Sequence, residues 1–205
     1  MIRPKVLFVT DPICSWCWAT LPEILKSRDT LAESFDFELI MAGLQVGGHQ
    51  PFNEYEINRL RKLWREISEV TGQRFSGKIP ENFIYHSEIA CRAVEVVKQE
   101  TGDAWDFFYK LQEAFYMRAE NPNDAQVLQS LAPTVHDLEA KLNSQQVVDA
   151  TLAQFNETDR LAAHALPSVM LDQGQGPKLV CGGYVTAKYL NQALIDMVTA
   201  GINSQ

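Results

Sequence analysis

Little in this chain suits it to a membrane, a nucleic acid or a disulfide-stapled scaffold. No apolar run approaches the roughly 20 residues that cross a bilayer. Basic residues are the minority, 18 against 26 acidic, and the formal net charge of −8 repels phosphate backbones and anionic lipid alike. Neither nucleic acid nor membrane is therefore an expected partner. Cysteine is scarce: four in 205 residues do not make a disulfide framework. Paired metal-ligand clusters are missing too, since His49, His86, His136 and His164 are scattered and Cys91 and Cys181 stand singly. The opening apolar run Val6-Leu7-Phe8-Val9 is far shorter than a signal-peptide core, and no small-residue cleavage site follows it. The expected location is cytoplasmic. Repeats and low-complexity tracts are absent. What remains is a 46% apolar chain, long enough to bury a proper core as one domain or as one domain carrying an insertion.

The pattern along the chain changes twice. Residues 5–10 predict a buried strand that Pro12 ends, because proline cannot donate to a ladder. Residues 17–32 predict a helix with Leu21, Ile24, Leu25 and Leu31 on one side, and with Pro22 acceptable near its start or as a kink. Residues 35–41 alternate and predict a second strand, and the crossover is long enough for a right-handed parallel unit. From Asn53 to about Ala163 the pattern is helical almost throughout. Asn53 and Glu56 have capping-box spacing, and Ile57, Leu60, Trp64 and Ile67 recur until Gly72. Ala90, Val94 and Val97 mark a second helix there, and Trp105, Phe108, Leu111 and Phe115 a third. Pro122 and Pro133 punctuate two short ones, and Ser144 opens a longer one with Val148, Leu152 and Phe155.

Strand character returns at 168–171 and 178–181, joined by a turn-rich link that suits an antiparallel hairpin. A last helix begins near Thr186, turns Tyr189, Leu190, Leu194 and Met197 inward and stops at Gly201. The expected fold class is α/β: a β-α-β … β-β-α sandwich with a large all-helical insertion. Residues 1–52 and 164–205 make up the sheet domain in this reading, and 53–163 the insertion.

One segment carries chemistry. Asp11-Pro12-Ile13-Cys14-Ser15-Trp16-Cys17-Trp18 sits where a strand gives way to a helix. Two thiols three positions apart at a helix start approach closely enough to form a disulfide. Unpaired amides and the helix dipole at that terminus favour negative charge on the first sulfur, which makes Cys14 the candidate nucleophile. Cys17, one turn deeper, is the candidate resolving thiol.

This wording resembles the active site of the thioredoxin superfamily, in particular its DsbA-like branch, which includes FrnE-type oxidoreductases and hydroxychromene-carboxylate isomerases. The long helical insertion and the Ala165-Leu166-Pro167-Ser168-Val169 segment before the third strand match that branch. Ser87-Glu-Ile-Ala-Cys-Arg92 is also similar to a segment of its insertion. The resemblance implies a thioredoxin-like fold and thiol–disulfide exchange with protein or small-molecule partners. It implies Cys14, Cys17 and a cis-proline, Pro167, as the catalytic set, with Pro12, Trp16 and Leu166 as the substrate-binding set. It implies no metal or organic cofactor, glutathione entering only as a candidate thiol substrate. Between its cysteines DsbA has Pro-His where this chain has Ser15-Trp16, so oxidising power is not carried over.

Other readings stay open at this level. The isomerase relatives position glutathione with a serine and need no resolving thiol, so a glutathione-dependent isomerase or transferase is a second reading. A metal- or protein-binding module without turnover is a third, with CxxC as half of a zinc site. Cys91 and Cys181 read as small buried hydrophobes. Asp11 reads either as a turn residue or as a tuner of the thiols. The aromatic set Trp105, Phe107, Phe108, Phe115 and Tyr116 reads as core of the insertion or as the lining of an apolar groove. Of the two tryptophans in the motif, Trp16 is expected outside and Trp18 inside.

Overall fold

The protein is described by a computed structural model covering residues 3–161, 163 and 165–202. Strand β1 (Lys5–Thr10) leads through helix α1 (Ser15–Thr30) to β2 (Asp36–Met41). Six helices follow: α2 (Glu54–Thr71), α3 (Glu88–Thr101), α4 (Trp105–Arg118), α5 (Ala125–Leu131), α6 (Leu138–Leu142) and α7 (Gln145–Arg160). The chain then returns to the sheet as β3 (Ser168–Asp172) and β4 (Lys178–Gly182) and closes with α8 (Ala187–Ile202). This is the thioredoxin-like β-α-β … β-β-α order with the helical insertion between β2 and β3.

The sheet runs β2-β1-β3-β4. β1 pairs in parallel with β2, as the α1 crossover requires, and antiparallel with β3. The β3–β4 pair is an antiparallel hairpin with a register shift at Val169/Met170. Because β1 is central, its period-2 alternation buries both faces. Val6 and Phe8 join a core built from α1, α3, α4 and α8, including Leu21, Ile24, Phe108, Leu111, Leu190 and Leu194. Leu7 and Val9 face the other way, against Met170, Ile40 and Leu161. The insertion shares this core: Phe8 of the sheet stacks on Trp105 of α4 at 6.1 Å.

Local rules explain the helix ends. Asn53 and Glu56 form a reciprocal capping box at the start of α2. α1 begins at Ser15, two residues before the expected start, because Cys14 itself takes the N-cap position. Pro22 lies well inside α1 and leaves the Trp18 carbonyl without its usual donor. Gln73, just past α2, supplies one: its Nε2 donates to that carbonyl at 3.3 Å. The helix tolerates the proline because the insertion repairs the ladder.

One expected helix face is rotated, and one residue expected inward points out. In α7 the buried row is Val147, Thr151 and Thr158, while Leu152 is 42% exposed. Val148 and Leu152 lie about 100° round the helix from that row. Phe155 packs partly inward, over Gly43, whose φ of +63° and 2.9 Å clearance to the ring leave no room for a Cβ. In α8, Leu190 and Leu194 are fully buried, but Tyr189 is 63% exposed. The α8 row of Leu190, Leu194 and Met197 is the expected one, and Tyr189 alone falls one residue off it.

Candidate active site

Backbone chemistry alone delivers Cys14 to the helix start. Its N–H donates to the Asp11 carbonyl at 3.2 Å, closing a β-turn. Asp at the first position and Pro12 at the second are the residues such a turn favours. The Asp11 carboxylate reinforces it, Oδ1 accepting the Ile13 N–H at 2.9 Å. Cys14 then has extended dihedrals (φ −81°, ψ 113°), and its Sγ accepts the Cys17 N–H at 3.4 Å. A thiol at this point occupies the place of a capping oxygen and receives an orphan amide of the first turn.

The two sulfurs differ in environment. Both are unbonded thiols, Cys14 with 5% of its surface exposed and Cys17 with none. Burial, and then the neighbouring Cys14, push the Cys17 thiol well above the ordinary cysteine range. Cys17 therefore keeps its proton at neutral pH, and Cys14, which alone of the two retains some exposed surface, is the sulfur available first.

Beneath the turn, Asp11 is completely buried. Its Oδ2 accepts the Leu44 N–H at 2.7 Å and the thiol of Cys91 at 3.8 Å. Desolvation raises the Asp11 carboxyl above its usual range, though the backbone donors of Ile13 and Leu44 oppose the shift. Burial first, and the Asp11 charge second, push the Cys91 thiol up as well. Cys91 is thus a protonated donor packed under the turn. Cys181 lies opposite Val169 on β4, half-buried, its thiol pushed up to about 11 by burial.

The insertion grips the same turn from α2, from α4 and from the link that precedes α3. Gln112 of α4, with no exposed surface, donates its amide N–H groups to the carbonyls of Asp11 at 3.2 Å and Pro12 at 3.3 Å. The Tyr85 hydroxyl donates to the Ile13 carbonyl at 3.4 Å. Trp64 of α2 donates Nε1–H to Ser15 Oγ at 2.9 Å. Trp18 is buried, donates to the Arg74 carbonyl at 2.9 Å and stacks on Tyr116 at 5.7 Å. Trp105, Phe107, Phe108, Phe115 and Tyr116 are all buried and belong to the core.

Of the remaining motif residues, Pro12 is buried, and Trp16 and Leu166 are half-buried. The Leu166–Pro167 peptide bond is cis. Antiparallel pairing of Val9 with Ser168 sets Pro167 level with Thr10, at the end of β1 from which the turn springs. Its carbonyl accepts the Gly183 N–H at 2.7 Å. A groove of about 630 Å³, lined in part by Gln45, Phe52, Arg59 and Leu60, adjoins the turn through Tyr85. Among the described residues no cluster of three His, Cys, Asp or Glu side chains is gathered as a metal site would need. His164 lies outside the described residues.

A sequence profile described as thioredoxin matches residues 7–174, most of the chain and nearly all of the architecture above. The chain belongs to the thioredoxin family.

Solved structures in this thioredoxin-like class superpose over nearly the whole molecule. A protein from Nitrosomonas europaea, provisionally described as a protein disulfide isomerase, is 26% identical with a TM-score of 0.86, covering 97% of this chain and 99% of that one. A cytosolic disulfide reductase from Pseudomonas aeruginosa, DsbM, shares the fold at 16% identity and a TM-score of 0.75, over 98% and 100% of the two chains. A curated relative from Halalkalibacterium halodurans, named ClpXP adapter protein SpxH, is 24% identical over 170 residues, 77% of this chain. The chain spans 55% of that relative's length. Among the described residues no helix is long and apolar enough to cross a membrane.

The thioredoxin-family motif was legible in the sequence, and Gln112, Tyr85 and Trp64 were not assigned to it. Gln112 did leave a trace. It falls between Phe108 and Tyr116 on the i, i+4 row of α4, a lone amide on an otherwise aromatic stripe.

Proposed function

We propose that this protein is a thiol–disulfide oxidoreductase acting through Cys14 and Cys17 on protein or small-molecule disulfides, without a metal or organic cofactor. One observation supports it above the others: Cys14 caps a helix and receives an amide N–H, while Cys17 three residues on is sealed and held protonated. In the forward direction the Cys14 thiolate attacks a partner disulfide, forming a mixed disulfide and expelling the partner's other sulfur as a thiolate. Cys17 then gives up its proton and attacks the Cys14 sulfur. The Cys14–Cys17 disulfide forms, the second partner sulfur leaves, and two electrons have passed to the partner. Pro12, Trp16, Leu166 and Pro167 border the attacking sulfur in this reading. The name of the Pseudomonas neighbour, a cytosolic disulfide reductase, supports a reducing role in the cytoplasm.

Mass spectrometry after mild oxidation and alkylation tests the reading. A Cys14–Cys17 disulfide is expected, and its failure to form sinks the proposal. Cys14→Ser should abolish turnover, whereas Cys17→Ser should accumulate mixed disulfides with the substrate.

A second reading is a module that holds a partner without turnover, and the curated name "ClpXP adapter protein" favours it. It predicts that a Cys14→Ser/Cys17→Ser double variant keeps full partner binding and biological activity. Loss of both would reject it.

A further inference from the structure

The insertion reaches the redox turn through a buried amide whose energetics single it out. Gln112 has no exposed surface, and its Oε1 has no hydrogen-bond partner among the described atoms. A buried acceptor left unpaired is costly, and a leucine or methionine of similar volume would remove that cost and suit the aromatic row on which Gln112 stands. Only the other end of the amide has a function in the packing: Nε2 forks onto the Asp11 and Pro12 carbonyls. The Asp11 carbonyl is the same one that receives the Cys14 N–H. Gln112 thus fixes the two peptide units that aim Cys14 at the helix start, and its donors neutralise the negative ends of two carbonyl dipoles in the turn that presents it.

From this we infer that Gln112 is a positioning residue that sets the nucleophilicity of Cys14, although it touches neither sulfur. The inference rests on the assignment of Cys14 as the attacking thiol. Removing the fork takes one donor from the Pro12 carbonyl, leaves the Asp11 carbonyl with the Cys14 N–H alone and loosens the turn, and these changes disfavour a thiolate on Cys14.

The test compares wild type, Gln112→Leu, Gln112→Met and Leu128→Ala, the last a core cavity in α5 placed to mimic general destabilisation. The readout is the rate at which iodoacetamide alkylates Cys14 at neutral pH in folded protein, followed by mass spectrometry. Both Gln112 variants should react about threefold more slowly, or slower still, the scale expected for loss of one or two hydrogen bonds. Leu128→Ala should not slow the reaction. Rates in either folded Gln112 variant equal to wild type would overturn the inference, as would equal slowing in Leu128→Ala. A parallel equilibration of wild type with a glutathione redox buffer keeps the two proposals apart. No Cys14–Cys17 disulfide there defeats the oxidoreductase reading, while the alkylation rates still decide the role of Gln112.

Discussion

The sheet region and the helical insertion contribute different things to one site. The sheet region supplies both sulfurs, the turn that presents them and the proline loop beside β1. The insertion supplies no sulfur to the pair. It supplies buried donors: Gln112 to two carbonyls, Tyr85 to a third, Trp64 to Ser15 and Gln73 to the carbonyl exposed by Pro22. The first region holds the two thiols at a short sequence distance, and the second fastens their turn from a long one. A reactive motif can therefore be local in sequence while its rigidity is not.

That contrast breaks most severely if the insertion's packing against the sheet is removed. Phe108→Ala empties a fully buried site in the core shared by α4 and β1. A loss of about 3–5 kcal/mol is expected, with a single transition in thermal unfolding followed at both near- and far-ultraviolet wavelengths. Two separate transitions would show that the regions fold independently.

A smaller effect concerns the carboxylate between them. Burial raises the Asp11 carboxyl in the folded state above its ordinary value near 3.8, so folding prefers the protonated form. The stability that proton contributes is fully present below the unfolded value and is lost as pH rises through the higher folded one. Wild type should therefore gain stability relative to Asp11→Asn as the pH is lowered across that window, measured by urea unfolding at a series of pH values. A difference that stays flat would mean that the donors of Ile13 and Leu44 cancel desolvation, and a slope of opposite sign that they outweigh it.

The smallest effect belongs to the misassigned face of α7. Leu152→Ala, at a 42% exposed position, should change stability by less than about 0.5 kcal/mol. A cost near that of a core leucine would show that something covers Leu152 in solution.

The sequence carried more of the fold than of the site. Strands β1 and β3 were legible because β-branched and apolar residues cluster between turn formers, and the α2 cap because Asn53 and Glu56 obey a local rule. The rotated face of α7 and the outward Tyr189 of α8 were not, since a leucine or tyrosine on a helix is admitted to either side and only packing decides. At the site, the Asp-Pro turn and both cysteines lie within seven positions, and local rules reach that far. Gln112 is 101 positions from the carbonyl it holds, a separation at which periodicity says nothing about partners.

The pairing of β1 with β3 has a consequence for assembly. It joins residues separated by 159 positions (Val9 with Ser168) up to 167 (Lys5 with Asp172), so the strand that leads into the dithiol acquires its second neighbour only after seven helices have been made. During synthesis, domains emerge from the N-terminal end first, and pairings this distant form late. The newborn chain therefore carries Cys14 and Cys17 for the whole time before Ser168, and with it the second neighbour of β1, exists.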